Sequence, residues 1–433
     1  MTTNRAVLTF VAALGLVAAN LTLGPVAPAV AAPVCENPKD PGKVIPQSPW
    51  AQSWLAPERI WPFTDGSGVK VAVIDSGTDA GHPQLGGKVL AGFDFLRNAA
   101  GANFDCVSHG TAVASIIAAQ RVQGVGFQGI APGATILPVR VSDKEVDAQG
   151  NTSGETVDPA RFAKSIKYAV DSGATVINMS IVLYDDVASV RDAVRYALSN
   201  NVVVVAAVGN RHDEKNTGPD PTPYPAAYDG VVGVGAIAED GSRVSRSQIG
   251  KYVDVVAPGG GVIAATRVRG HAYWDGTSFA TPFVSGTAAL IRAAHPKLSA
   301  AEVAQRLRAT ASPARGGRNS TTHGRGVVDP YRAVTDELAT GAPLPPEAVT
   351  PVTVDREAEA AAADRRRTTR IALILAGTGG GVAALLLCAA AVLPLGRRRR
   401  WLPGRRAPVP EPPAENDEAP AESPEALFAP PRA

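Results

Sequence analysis

The chain has 433 residues, 45% of them hydrophobic and only 19% charged, against about 25% charged in an average soluble protein. It is therefore globular in the main, not wholly disordered, and carries unusually apolar stretches. Its 42 Lys and Arg against 40 Asp and Glu leave a net charge of +2, which excludes a whole-protein electrostatic case for nucleic acid. Three cysteines are too few for a disulfide scaffold and lack metal-finger spacing, so burial must hold a fold of about three domains at roughly 150 residues each.

Residues 1–32 read as an export signal. After Arg5 the stretch from Ala6 to Leu23 is almost wholly apolar, and it runs into Pro25-Val26-Ala27-Pro28-Ala29-Val30-Ala31-Ala32, small residues that suit cleavage near Ala31 or Ala32. The run exceeds the usual core of about 7 to 15 residues, which leaves an uncleaved membrane helix as the alternative. Residues 33–67, with Trp50, Trp54 and Trp61 among prolines, are too few to bury a core of their own.

Residues 68–338 alternate strand-like and helix-like segments. Apolar runs at Val69 to Ile74, Thr135 to Val141, Ala174 to Met179, Val202 to Val208 and Val231 to Ala236 predict strands; Arg161 to Val170 and Val190 to Leu198 predict helices. Doubly apolar strands in this alternation imply an α/β fold, a parallel sheet covered by helices on both faces. Ligands bind such sheets beyond the carboxyl ends of the strands, which directs attention to Asp75, Ser180 and, one turn further on, Asn210.

Asp75 follows the first strand in Val73-Ile74-Asp75-Ser76-Gly77-Thr78. His109 opens a helix in Ser108-His109-Gly110-Thr111-Ala112-Val113-Ala114. The other five histidines stand before prolines at turns (His82, His295) or in polar or irregular stretches (His212, His271, His323). Between Ser142 and Gly154 a polar stretch breaks the rhythm and predicts an exposed loop; Asp143, Glu145 and Asp147 there offer oxygen ligands, but no metal and no cofactor is expected. Asn210 follows Gly209 at a strand's carboxyl edge. Ser278 stands in Asp275-Gly276-Thr277-Ser278-Phe279-Ala280-Thr281-Pro282, at the start of a small-residue helix whose free N–H groups can hold an oxyanion. Singly these residues read as a turn-former, an exposed histidine, a turn amide and a helix cap. Together they supply a nucleophile, its base, the base's orienter and a donor for developing charge.

Beyond the globular part, 339–370 is a Pro-rich and charged linker containing Gly341-Ala342-Pro343-Leu344-Pro345-Pro346, a semi-rigid spacer. Residues 371–395 carry no charge and at about 1.5 Å per residue give roughly 37 Å of helix, enough to span a membrane. Residues 396–433 are basic and then rich in Pro, Ala and Glu, which predicts a disordered cytoplasmic tail. The charge bias around the span favours this orientation modestly; the export signal decides it and places the globule outside the cytoplasmic membrane.

Asp-Ser-Gly, His-Gly-Thr-x-Val-Ala and Gly-Thr-Ser-x-Ala-x-Pro, in that order over about Gly68 to Ala333, resemble the subtilisin-like serine proteases. The resemblance implies Ser278 as nucleophile, His109 as general acid and base, Asp75 as its orienter and Asn210 as oxyanion donor. It also implies that the segment of Asn178-Met179-Ser180 pairs with an extended substrate, with Ser180, Ile181 and Gly209 as binding residues. Ile181-Val182-Leu183 stand where the family often has glycines.

Signal, short extension, protease domain, Pro-rich spacer, membrane helix and basic tail together are similar to the mycosins, membrane-anchored proteases associated with type VII secretion. That likeness implies an extension wrapped on the catalytic domain. An exported location permits Cys35 to pair in a disulfide with Cys106, three residues before His109, while Cys388 is isolated in the membrane helix. The expected function is an endopeptidase acting on exported proteins, with protein or peptide substrates, type VII membrane subunits and membrane lipid as partners. A structural subunit of the secretion complex and a general degradative extracellular protease are the alternatives.

Overall fold

The computed structural model of the chain describes residues 35, 38–143, 145–146, 152–153, 157–215, 218–338, 393–394 and 397. The chain divides into two compact units, Met1–Pro346 and Glu347–Ala433. In the second, residues 393, 394 and 397 are helical. The expected export signal at 1–32, the linker 339–370, the span 371–395 apart from Leu393 and Pro394, and the tail 396–433 apart from Arg397 lie outside the described residues. Among the described residues no helix is long and apolar enough to cross a membrane.

The first unit is built on an eight-stranded sheet. Its strands are β1 (Lys70–Asp75), β2 (Phe93–Asp94), β3 (Ala99–Ala100), β4 (Thr135–Arg140), β7 (Val176–Met179), β8 (Val203–Ala207), β9 (Val232–Ile237) and β10 (Val255–Pro258), counted with β5 (Glu145–Val146) and β6 (Thr152–Ser153) between β4 and β7. The order is β10-β9-β8-β7-β1-β4-β2-β3, parallel throughout except for β2 with β3. Val71, Ala72, Val73 and Ile74 are all fully buried, because β1 is covered on both faces and has no solvent side for polar residues to alternate onto.

Helices α1 (Trp50–Leu55), α2 (His109–Ala118), α3 (Pro159–Asp171), α4 (Ala188–Ser199), α5 (Thr277–Ala294), α6 (Ala300–Ala309) and α7 (Pro330–Thr335) complete the unit. α3 packs on α4, while α2 packs on α5, which crosses β7, β8, β9 and β10. Gly286 lets α5 approach closely: a Cβ there would lie 2.8 Å from Ile130 Cβ. α3 starts two residues before the apolar pattern does, because the Asp158 side chain accepts from the Arg161 N–H and Pro159 takes the first turn, where its missing N–H costs nothing.

Three features depart from the sequence reading. β10 is only four residues long and ends in proline, which a sheet edge tolerates, while β2 and β3 are too short to show any period. A hairpin of β11 (Val262–Ala265) and β12 (His271–Trp274) lies outside the main sheet. The stretch from 142 to 154, expected as a loop, contains the antiparallel pair β5 and β6.

The segment before β1 lies against the same core. Leu55 and Ile60 are buried in it, Trp61 Nε1 donates to Ile130 O at 3.1 Å, and the Lys39 N–H donates to Cys106 O at 2.9 Å. The structure contains the Cys35–Cys106 disulfide, with a sequence separation of 71. Closing that loop in the unfolded chain is worth about 4 kcal/mol in the loop-entropy treatment. The double change Cys35→Ser with Cys106→Ser therefore lowers unfolding stability by about that amount, measurable by denaturant titration of the full chain, and an unchanged midpoint would contradict it.

His271 corrects its sequence reading: it sits in β12 at 4% exposure. Its backbone N–H donates to Lys43 O at 2.9 Å and its Nδ1 accepts the Ile45 N–H at 3.2 Å. Nε2 therefore carries the proton and donates to Gln84 Oε1 at 2.7 Å. Burial, with His82 beside it, pushes the His271 pKa down to about 4. The unfolded chain takes up this proton below about pH 6.5 and the folded chain only near 4, so stability declines as pH falls across that window. Thermal melts from pH 7 to 4 should show this decline, and it should be smaller in His271→Gln.

Candidate active site

β1 has β4 on one side and β7 on the other, so the chain order reverses there and a crevice opens at the carboxyl ends. Asp75 is the last residue of β1, with its side chain 3% exposed. Its Oδ1 accepts the Ser76 N–H at 2.7 Å and lies 2.7 Å from His109 Nδ1. His109 is the first residue of α2, its side chain 27% exposed. This close approach needs the glycine that follows: a Cβ on Gly110 would come 2.0 Å from Gly77 O and 3.2 Å from Asp75 Cβ. Burial alone would lower the imidazole pKa, but the Asp75 carboxylate, by charge and by hydrogen bond, and Asp105 behind it raise it above its ordinary 6.5. With Nδ1 donating to Asp75, the neutral ring presents Nε2 as an acceptor.

Asp105, which the sequence reading did not single out, anchors this pair. Its Oδ1 accepts from Ser76 Oγ and from the N–H groups of Val107 and Ser108, each at 3.0 Å. Its Oδ2 accepts from the Thr111 N–H at 2.8 Å and Thr111 Oγ1 at 2.7 Å. Burial pushes its pKa up against these hydrogen bonds. The carboxylate thus ties the residue after Asp75 to the first turn of α2 and holds Ser108 at φ 70°. The available signal was a short acidic side chain just before a helix start, where Asp takes up otherwise unpaired N–H groups.

Ser278 is the second residue of α5, within the first turn, whose N–H groups have no helical carbonyl to meet. Its hydroxyl donates to Ser180 O at 3.2 Å, and Ser180 Oγ donates back to Ser278 O at 2.7 Å. The His109 ring lies 5.1 Å from the ring of Phe279, the next residue, which brings the imidazole beside the start of α5, while the Ser278 hydroxyl is bonded to Ser180 O rather than to the ring. Catalytic hydrogen bonds are often loose before substrate binds.

Asn210 Oδ1 accepts from the Thr277 N–H at 2.9 Å and Thr277 Oγ1 at 3.1 Å. A backbone N–H can only donate, so the oxygen faces Thr277 and the NH₂ group is left as a donor at the start of α5. Thr277, also unrecognised in the sequence, accepts the Gly209 N–H at 3.1 Å as well. Ser180 follows β7, supported by Asn178 Nδ2 at 3.1 Å, whose Oδ1 in turn accepts from Ser285 Oγ at 2.9 Å. Ile181 is half-buried beside it, and Gly209 turns the chain at φ 94°.

Asp75, His109, Ser180, Ile181, Gly209, Asn210 and Ser278 therefore gather at the carboxyl ends of β1, β7 and β8 and the start of α5. The expected role of Asn210 as oxyanion donor predicts that Asn210→Ala lowers kcat for a peptide substrate by about 100- to 1,000-fold with little change in KM, since such a donor acts on charge that develops only during reaction. A large KM effect with intact kcat would assign it to substrate binding. Among the described residues no group of three or more His, Cys, Asp or Glu side chains is arranged to hold a metal, and Asp143 faces Arg140 Nη2 at 3.4 Å.

Residues 66–330 match the model of the Subtilase family, Peptidase S8. A thermophilic serine proteinase of Bacillus sp. (strain AK1) is 40% identical over 276 residues, covering 64% of each chain; the present chain thus spans less than two thirds of that relative. Mycosin-1 of Mycobacterium tuberculosis is 34% identical over 379 residues, 76% of this chain and 84% of that one. A solved structure described as the serine protease MycP1, an essential component of the type VII (ESX-1) secretion system, superposes with a TM-score of 0.58 at 32% identity, covering 69% of this chain and 94% of the other.

Proposed function

The chain belongs to the subtilase family, and from that premise we propose that it is a membrane-anchored serine endopeptidase of a type VII secretion system that cleaves exported proteins. The observation that carries the chemistry is the 2.7 Å contact of His109 Nδ1 with Asp75 Oδ1, beside a serine at a helix N-terminus. Ser278 Oγ attacks the scissile carbonyl while His109 Nε2 takes its proton. The resulting oxyanion is held by the Asn210 NH₂ and the Ser278 N–H, and the imidazolium by Asp75. His109 then gives the proton to the leaving amine, and a water activated by the same imidazole hydrolyses the acyl-enzyme.

The attachment to type VII secretion is supported by the similarity to Mycosin-1 and MycP1. Anchoring is supported by the uncharged run at 371–395, long enough for a bilayer, with the globule on the outer side and the tail in the cytoplasm. The test is fractionation of producing cells followed by secretion assays of a deletion strain complemented with Ser278→Ala. The proposal expects the intact chain in the membrane fraction and exported proteins left uncleaved by Ser278→Ala. Restored secretion and unchanged processing with that variant would favour a structural subunit instead. Release of the intact chain into the medium would contradict the anchor, and indiscriminate hydrolysis of unfolded proteins would indicate a degradative enzyme.

A further inference from the structure

Two chain segments flank Ser278 and form the walls of the crevice. One is Ser180 and the residues after it, joined to Ser278 by the reciprocal hydrogen bonds. The other is Gly209-Asn210, joined to Thr277. A substrate paired with the first wall puts the side chain of the attacked residue between them, as strand addition requires of alternate residues.

Tyr184 links the two walls. It leaves the first wall, and its hydroxyl reaches the second, donating to Gln248 Oε1 at 3.0 Å. Gln248 is itself fixed, its Nε2 donating to Pro221 O at 2.6 Å and its N–H to Gly209 O at 3.1 Å. The fit depends on bare backbone opposite: a Cβ on Gly209 would lie 2.9 Å from Tyr184 Oη and 2.1 Å from Gln248 Oε1. The Arg211 guanidinium carbon lies 4.0 Å from the centre of the Tyr184 ring, a stacking that holds the ring across the gap. Leu183, one residue earlier, exchanges two 2.8 Å backbone hydrogen bonds with Tyr224 and fixes the base from which the ring projects.

We infer that Tyr184 is a specificity-determining residue, restricting the residue that contributes the scissile carbonyl to Gly, Ala or Ser. This rests on the peptidase reading above. A large side chain between the walls meets this ring, and moving the ring breaks both the Gln248 hydrogen bond and the Arg211 stacking.

The test uses the full membrane-bound chain with two internally quenched peptides identical except for Ala or Phe at that residue. The natural chain and Tyr184→Phe, which keeps the ring, are expected to favour Ala over Phe in kcat/KM by at least about 10-fold, the scale of a side-chain misfit. Tyr184→Ala is expected to shift that ratio toward Phe by about 10- to 100-fold. A fluorophosphonate probe applied to each variant reports an intact reactive serine. Labelling in all three with an unchanged Ala-to-Phe ratio overturns the role of Tyr184 and leaves the peptidase reading standing. Equal cleavage of both peptides by the natural chain also overturns it, and absence of labelling in the natural chain overturns both.

Discussion

Ser278→Ala and His109→Ala should each lower kcat for a peptide substrate by about a millionfold, and the double variant should lose little more. The reason lies in the shared step. Without the imidazole the Ser278 hydroxyl, whose partner in the free enzyme is Ser180 O, has no acceptor that can carry its proton away. Without the hydroxyl the imidazole has nothing to activate. What survives in either variant is stabilisation by the Asn210 amide and the helix N-terminus, worth about 1,000- to 10,000-fold over water. Steady-state kinetics on the two single variants and the double variant check this, and additive losses would show that the two residues do not act as a unit.

Asp75→Asn should reduce kcat by about 10,000-fold with the fold intact. An asparagine keeps the shape but offers an amide that can donate to Nδ1, leaving the proton on Nε2, where an acceptor is needed. A second readout separates this from mere loosening. In the natural chain kcat/KM should fall as pH drops through the His109 pKa, which Asp75 helps hold above 6.5. Removing that charge lets burial dominate, so the acid limb of the residual activity moves to lower pH. A pH profile unchanged in position would mean that Asp75 does not govern the protonation of His109.

How legible this site was in the sequence depended on whether a residue acts within a short motif or across the fold. Asp75, His109 and Ser278 each stand in a local signature, and the strands that present Asp75 and Ser180 are apolar runs, the second broken only by Asn178, because the sheet is buried on both faces. Asp105 and Thr277 were not found, since each acts on a partner supplied by another segment: Asp105 on Ser76 and Thr277 on Asn210. Tyr184 was passed over for the same reason. Its ring lies near Ser180 in the chain, but its meaning comes from Gln248 and Gly209, reached only through the fold. The hairpin of β11 and β12 was hidden because its register depends on packing outside the sheet, including the seat that His271 gives to Lys43 and Ile45.

The most direct measurement is labelling of isolated membranes with a fluorophosphonate, with the modified peptide identified by mass spectrometry in the natural chain, Ser278→Ala and His109→Ala. The account predicts one modified residue, Ser278, in the natural chain and no labelling in either variant. Labelling that persists in His109→Ala at the natural rate, or modification of another serine, would contradict the assignment of Ser278 as a nucleophile activated by His109.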